Sequence, residues 1–324
     1  MKPDSVLYLS RQDVEAVGLS MPAIIEAVES MFLEKGEGRV EMPPKPGIHT
    51  QPDAFIHAMP AYIPSLGAAG VKWISGYPGN QSRGLPYITG LLILNDPETG
   101  VPTVIMDATW ITALRTGTAT AVAARHLARP DSSTAGIIAC GVQGRSNLQA
   151  LACMFALRKV WVYDKHRQVA DSFAAEMATS IDVEIEVVSE PRAAVVDADL
   201  VVTSGPIMKS PTPVIDVDWL APGAFACPVD FDSYWTGAAL CQADKLATDD
   251  IGQLGSYREA GYFRDTPAPY ADLGQIVAGQ QPGRERDDER TIAINLGLAL
   301  EDMAAAMPVY ERALELGIGT RLPL

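Results

Sequence analysis

Two basic side chains stand where the surrounding sequence gives them little electrostatic company. Lys72 lies inside the strand-like run GAAGVKWISG, between Val71 and Trp73, and Arg115 lies in TALRTGTAT among small uncharged residues. A lysine in such a strand sits either on an open, solvated face or at a sheet-lined pocket. In a pocket, partial burial would draw its pKa down toward acid–base use. An arginine with no intrahelical counter-ion is suited to hold a carboxylate through two parallel hydrogen bonds. Lys45, on the proline-rich loop EMPPKPG, is either a further cation for an acidic ligand or a solvated loop lysine. Asp230 and Asp232, in CPVDFDSYW, follow an apolar strand. Carboxylates at the C-terminal end of a parallel strand face the ligand crevice, unless they cap the turn. His49, His57, His126 and His166 lack metal-ligand spacing; His57 differs in sharing a segment with Met59 and Pro60, just ahead of Lys72.

A second candidate is the turn in GIIACGVQGRSN, residues 136–147. It has the form A-x-G-x-x-G, with Ala139 in place of the first glycine, then Gly141, Val142, Gln143 and Gly144. Gly141 falls where backbone approaches a pyrophosphate, and Gly144 where helix and strand pack closely. The methyl group of Ala139 is tolerable if the backbone there keeps a negative φ. Asp164 ends the next strand-like run, KVWVYD, 23 residues after Gly141. An acid at that distance accepts hydrogen bonds from adenosine ribose hydroxyls and repels a 2′-phosphate, favouring NAD over NADP. Nearby Arg167 weighs the other way.

These residues need elements to position them. Ser20 reads as an N-cap with Pro22 in the first turn of a helix that buries Ile24, Val28 and Phe32 and stops at GEG, 36–38. From 55 to 106 short apolar runs alternate with turns, NDPETG among them, which predicts a largely antiparallel sheet. Residues 111–128 are Ala-rich and helical. Strand and helix signals then alternate through TAGIIACG, NLQALACMFALR, KVWVYD, RQVADSFAAEMA, VEIEVV, PRAAVVDA, DLVVTSG, AFACPV and KLATDD. That alternation predicts a parallel sheet wrapped by helices. The final stretch, TIAINLGLALEDMAAAMPVYERALELG, reads as one or two helices that return to the first domain.

The chain has 324 residues, which suits two domains, and a net charge of −15. That charge disfavours nucleic acid and anionic membranes as partners, because a phosphate backbone needs clustered Lys and Arg. A small anion needs only a few local cations. No apolar run reaches the ~18 residues of a membrane span, and MKPDSVLYLSRQDVE lacks a signal-peptide core. Cys140, Cys153, Cys227 and Cys241 form no C-x-x-C or zinc spacing and read as buried thiols of a cytoplasmic protein.

Ordered blocks along nearly the whole chain resemble the ornithine cyclodeaminase/μ-crystallin family: HAMPAYIP, GVKWISGYPGN with RGLP, LLILNDPETG, MDATWITALRTGTATAVAARHLA and EDMAAAMPVYERALELGIGT. The resemblance implies an α/β fold: a Rossmann-type doubly wound parallel sheet inserted into a second α+β domain for dimerisation and substrate. It places residues 116–299 in the NAD-binding domain and 1–115 plus 300–324 in the other. It implies a homodimer and NAD-dependent hydride exchange at the α-carbon of a small amino or imino acid. By the same resemblance Lys72 and Asp232 are catalytic, and Arg115, Lys45, His57 and Met59 bind substrate. Thr116, Gly141, Val142, Gln143, Gly144, Asp164, Thr203 and Ser204 hold the cofactor. Two departures bear on the substrate. His57 stands where cyclodeaminases carry a glutamate, and the late motif T-x-F-K-S reads Thr291, Ile292, Ala293, Ile294, Asn295. Both turn the expectation away from ornithine; His57 together with the excess of local cations turns it toward reduction of an imino acid with an acidic side chain, such as iminosuccinate to aspartate. Alanine dehydrogenation and cyclic ketimine reduction follow, then ornithine cyclodeamination, then a non-catalytic binding protein.

Overall fold

The computed structural model describes residues 5–51 and 53–324; residues 1–4, which open the segment read for a signal sequence, lie outside the described residues, as does residue 52. The chain begins with β1 (Ser5–Leu9), α1 (Arg11–Ala16), α2 (Met21–Gly36), β2 (Gly47–Ile48), β3 (Phe55–Ile63), β4 (Ala68–Gly76), β5 (Ile88–Asn95) and β6 (Pro102–Asp107). Then follow α3 (Thr109–Leu127), β7 (Thr134–Ile138), α4 (Val142–Met154), β8 (Lys159–Tyr163), α5 (Arg167–Met177), β9 (Glu184–Val187), β10 (Leu200–Thr203) and β11 (Phe225–Pro228). The rest comprises α6 (Gly237–Leu240), β12 (Lys245–Thr248), α7 (Ile251–Glu259), β13 (Ala271–Asp272), α8 (Leu273–Val277), β14 (Thr291–Ile294), α9 (Ala299–Leu316) and β15 (Thr320–Pro323). The chain divides into two compact units, Met1–Arg115 with Leu298–Leu324, and Thr116–Gly297.

The first unit is built on a sheet ordered β15-β1-β6-β5-β4-β3-β2. Its pairings are antiparallel except β1 with β6. Period-two alternation gives this sheet two unlike faces. Met59, Lys72, Ile74, Leu92, Leu94, Val104 and Met106 are buried on one. Trp73 and Leu91, register partners, are 49% and 43% exposed on the other. α9 covers the inner face, packing across β3, β4 and β5 and against α2. α2 starts as its sequence indicates: the Ser20 side chain accepts a hydrogen bond from the Ala23 N–H, and Ile24, Val28 and Phe32 are fully buried.

The second unit is a parallel sheet ordered β13-β12-β14-β11-β10-β7-β8-β9. Its central strands are buried throughout, which is why they read as continuous apolar runs rather than alternating ones. The sequence reading misplaced some elements. TIAI is not helical; it is β14, between β11 and β12, and a single helix follows at α9. A strand buried on both faces has the same apolar pattern as a buried helical turn, so periodicity could not separate them. PRAAVVDA contributes only a 3-10 turn, Pro191–Ala194. None of the four cysteines is in a disulfide among the described residues, but Cys153, within α4, and Cys241, the C-cap of α6, are exposed; Cys140 and Cys227 are buried.

Candidate active site

In the first unit β4 turns Lys72 to the covered face, opposite Met59 on β3 and Leu92 on β5. Only 1% of Lys72 is exposed, so its ammonium has lost nearly all its water. Its partners come from elsewhere in the chain. Nζ lies 2.5 Å from Asp302 Oδ2 and donates to Thr112 Oγ1 at 3.5 Å. The Lys72–Asp302 contact is an ion pair between two almost fully buried side chains. Arg115, on α3, donates from Nε to Asp302 Oδ1 at 3.1 Å and from Nη1 to Glu301 Oε2 at 2.8 Å. Glu301 and Asp302 occupy the first turn of α9, where the helix dipole favours negative charge. The sequence neighbours of Arg115 offered it no counter-ion; the structure corrects that isolation, supplying two carboxylates nearly 190 positions away.

The four groups are poised by competition between burial and pairing. Burial pushes the Lys72 pKa down to about 7, against the pull of Asp302; Arg115 and Lys45 lower it further. Burial also opposes the Arg115 charge, but Asp302 and Glu301 outweigh it and raise its pKa. Glu301 is pushed up by burial and by Asp302, with Arg115 pulling the other way. Its Oε1 has no hydrogen-bond partner among the described residues. Removing one partner from such a buried set leaves an uncompensated charge, a loss of about 3–5 kcal/mol.

His57 shares this side of β3. Its ring stacks on Phe55 with centroids 4.4 Å apart and meets His49 edge-on at 6.3 Å. Burial, then Lys45, His49 and Lys72, lowers its pKa to about 4, so the imidazole is neutral at physiological pH. Lys45 is half-buried on the loop before β2. Within one unit the structure therefore assembles His57, Met59, Lys72 and Arg115 with a third cation, Lys45, close enough to act on two of them.

In the second unit the turn after β7 leads into α4 with Gly141 as N-cap. A Cβ on Gly141 would meet nothing within 4 Å, whereas one on Gly144 would lie 2.7 Å from the Ala139 carbonyl oxygen. The first glycine leaves open space above the helix end; the second allows helix and strand to touch. Val142 is 65% exposed beside that space, and the Gln143 carbonyl accepts from Asn147 Nδ2 at 2.8 Å. Ala139 departs from expectation: its φ is +69°, not negative. The turn demands the left-handed backbone a glycine would adopt freely, and the methyl group stays at a cost of about 1–2 kcal/mol. Its neighbours hold it there. Ala139 N–H donates to Tyr163 O at 2.8 Å, and its carbonyl accepts from Ser204 Oγ at 2.8 Å.

Asp164 directly follows β8 and accepts from the Cys140 N–H at 3.0 Å and the His166 N–H at 2.9 Å. Arg167 is turned to Asp171 at 2.8 Å. Thr203 is buried and donates to Asp230 Oδ1 at 2.7 Å. Asp230 also accepts from the Gly205 N–H at 2.8 Å, and Trp235 Nε1 donates to Thr203 Oγ1 at 3.1 Å. Burial raises the Asp230 pKa to about 7 despite these donors. Asp232 is placed differently. It lines a cavity of about 310 Å³ with Lys209, Arg264 and Thr266, accepts from Thr266 Oγ1 at 3.3 Å, and has its pKa raised by burial. Thr116 is buried within α3, its carbonyl accepting from Thr120 Oγ1 at 3.4 Å.

Sequence reasoning missed three residues. Glu301 and Asp302 were legible in principle: two adjacent acids inside LALEDMAAAM must be buried if the helix is. Asn295, directly after β14, is 3% exposed, and neither atom of its amide has a partner among the described residues. It was noted only as a departure from a motif.

The profile of the ornithine cyclodeaminase/mu-crystallin family matches residues 5–317. An alanine dehydrogenase of Archaeoglobus fulgidus is 34% identical over 325 residues, covering 98% of each chain. Among solved structures, the Δ1-pyrroline-2-carboxylate reductase of Thermococcus litoralis, in complex with NADH and L-proline, superposes with a TM-score of 0.88 at 35% identity, covering 98% of this chain and 100% of that one. An archaeal alanine dehydrogenase dimer with bound NAD gives the same TM-score at 33% identity, covering 98% of this chain and 99% of the other.

Proposed function

Because the chain belongs to the ornithine cyclodeaminase/mu-crystallin family, we propose that it is an NAD(H)-dependent oxidoreductase that interconverts a small imino acid and an L-amino acid. The turn after β7 fits the cofactor. Gly141 leaves an open cradle at the N-terminus of α4, and such a helix end binds phosphate through its N–H groups and dipole. Asp164, directly after β8, would accept from ribose hydroxyls, and Arg167 turned to Asp171 favours NAD over NADP. Val142, Gln143, Thr116, Thr203 and Ser204 complete the contacts. The unpartnered Asn295 amide, at the C-terminal end of a central parallel strand, is a further polar group awaiting a ligand.

Bound there, NADH supplies a hydride from nicotinamide C4. Arg115 and Lys72, with Lys45, hold the substrate α-carboxylate. Reduction of the C=N bond by that hydride would leave the nitrogen needing one proton, which Lys72 or Asp232 would supply. Lys72 has a pKa near 7 and so can give or take that proton near neutrality. The observation that carries this reading is the buried Lys72–Asp302–Arg115 array, which holds two cations together in a nearly dry corner, as a bound carboxylate requires.

The substrate is a small imino acid with a second acidic group, iminosuccinate giving aspartate. Lys45 and Arg115 both act on Lys72, so three cations gather around the inner face of β4. A cluster of three cations suits a substrate with two carboxylates. The neutral His57 offers a hydrogen bond rather than a counter-charge for an ammonium. Alanine or Δ1-pyrroline-2-carboxylate chemistry is the second reading, supported by the names of the relatives. A panel measured at the NADH absorbance band separates them: ammonia with oxaloacetate, ammonia with pyruvate, and Δ1-pyrroline-2-carboxylate. The highest kcat/KM is expected with oxaloacetate and ammonia; a higher value for either other mixture refutes the dicarboxylate assignment.

We also propose a homodimer formed through the open face of the first unit's sheet. Trp73 and Leu91 lie side by side there, and Val71, Ile93 and Ile105 share the alternation. An apolar sheet face of this kind is rarely left to water.

A further inference from the structure

Nothing in the proposed reaction requires the two acids of α9, yet Asp302 pairs with both Lys72 and Arg115, and Glu301 pairs with Arg115. We propose that Asp302 is a positioning residue: its carboxylate ties the Lys72 ammonium to the Arg115 guanidinium and, by its charge, keeps Lys72 an ammonium ion inside a nearly water-free corner. The inference rests on the assignment of Lys72 and Arg115 to imine reduction. Geometry carries it. One oxygen of Asp302 faces Lys72 Nζ at 2.5 Å and the other accepts from Arg115 Nε at 3.1 Å. The carboxylate therefore fixes the separation of the two cations, as a substrate gripped by both requires. Glu301 takes a different part, bracing Arg115 alone from Nη1 at 2.8 Å.

The charged and titratable groups around Lys72 come from four elements. Asp302 and Glu301 lie on α9, Arg115 on α3, His57 on β3, and Lys45 on the loop before β2. Among those acting on Lys72, Asp302 favours its charged form, while burial, Arg115 and Lys45 oppose it. Removing the Asp302 charge therefore lowers the pH at which Lys72 gives up its proton. A lysine neutral at working pH neither grips a carboxylate nor donates a proton, so the loss appears as an activity that fades at lower pH.

The test is Asp302→Asn in full-length protein carrying ¹³Cε-labelled lysine, with the Lys72 resonance assigned by its absence from Lys72→Arg. The Lys72 midpoint is expected to fall by about one pH unit or more, a tenfold or larger loss of proton affinity. The upper limb of the kcat/KM profile should move with it, Asp302→Glu should restore most of the shift, and NADH affinity should stay unchanged. A folded Asp302→Asn protein whose Lys72 titrates as in the parent overturns the proposal. Should Asp302→Asn fail to fold, Asp302→Asn/Lys72→Met decides, because it deletes both opposite charges and leaves Arg115 with Glu301. It is expected to fold and to melt above the single variant; no gain would also overturn the pairing. The titration needs no turnover, so an inactive parent would refute the reaction while leaving the role of Asp302 separately decided.

Discussion

At the scale of single residues, several strained or costly groups stand where chemistry is expected. Ala139 is the clearest instance. A non-glycine residue at φ +69° in the phosphate turn stores strain that Ala139→Gly would release. That variant should unfold at higher temperature, with a gain of about 1 kcal/mol, measured by calorimetry without nucleotide; an unchanged or lower Tm would show that the neighbouring hydrogen bonds have absorbed the strain. The buried charges tell a similar story. Lys72 and Arg115 could be picked from sequence because a basic residue in apolar surroundings must have a reason to be there. Their counter-ions could not, because the pairing spans 186 and more positions and only the folded chain brings α9 under β4. Asp230 and Asp232, alike in sequence, part company in the structure: one is closed in by Thr203 and Gly205, the other faces a cavity.

At the scale of elements, the turn after β7 separates two uses of glycine. Gly141 faces open space and has φ −79°, a backbone any residue accepts. Gly141→Ala should therefore leave stability within about 1 kcal/mol of the parent while weakening NADH binding at least about tenfold, because the added methyl occupies the pyrophosphate's place. Gly144→Ala puts its methyl 2.7 Å from a backbone oxygen and should cost about 1–3 kcal/mol in stability. Fluorescence titration with NADH and denaturant unfolding check both; equal effects of the two variants on both readouts would mean the turn is only structural. Most elements were legible because their signals are local: the Ser20 cap, the NDPETG hairpin, the Ala-rich α3. β14 was not, since a short strand buried on both faces carries no periodicity, and its place beside β11 depends on long-range pairing. The A-x-G-x-x-G turn was recognisable by its spacing, yet the sign of φ at Ala139 was a property of the fold.

At the scale of the whole molecule, the first unit's sheet has one face covered by α9 and carries Trp73 and Leu91 on the other, the face proposed for the dimer. Trp73→Glu should convert a dimer to a monomer of 34.6 kDa, seen by sedimentation equilibrium; a variant still dimeric at micromolar concentration would place the interface elsewhere. Two compact units, one gathering cations around a carboxylate-sized need and one presenting a dinucleotide turn, make hydride transfer to an imino acid the central claim. Isotope transfer tests it most directly. With NADH deuterated at C4, prepared in both stereochemical forms, and with oxaloacetate and ammonia, one form should yield L-aspartate carrying deuterium at the α-carbon. NADH consumed without deuterium at that carbon from either form, or no amino acid formed at all, would contradict the account.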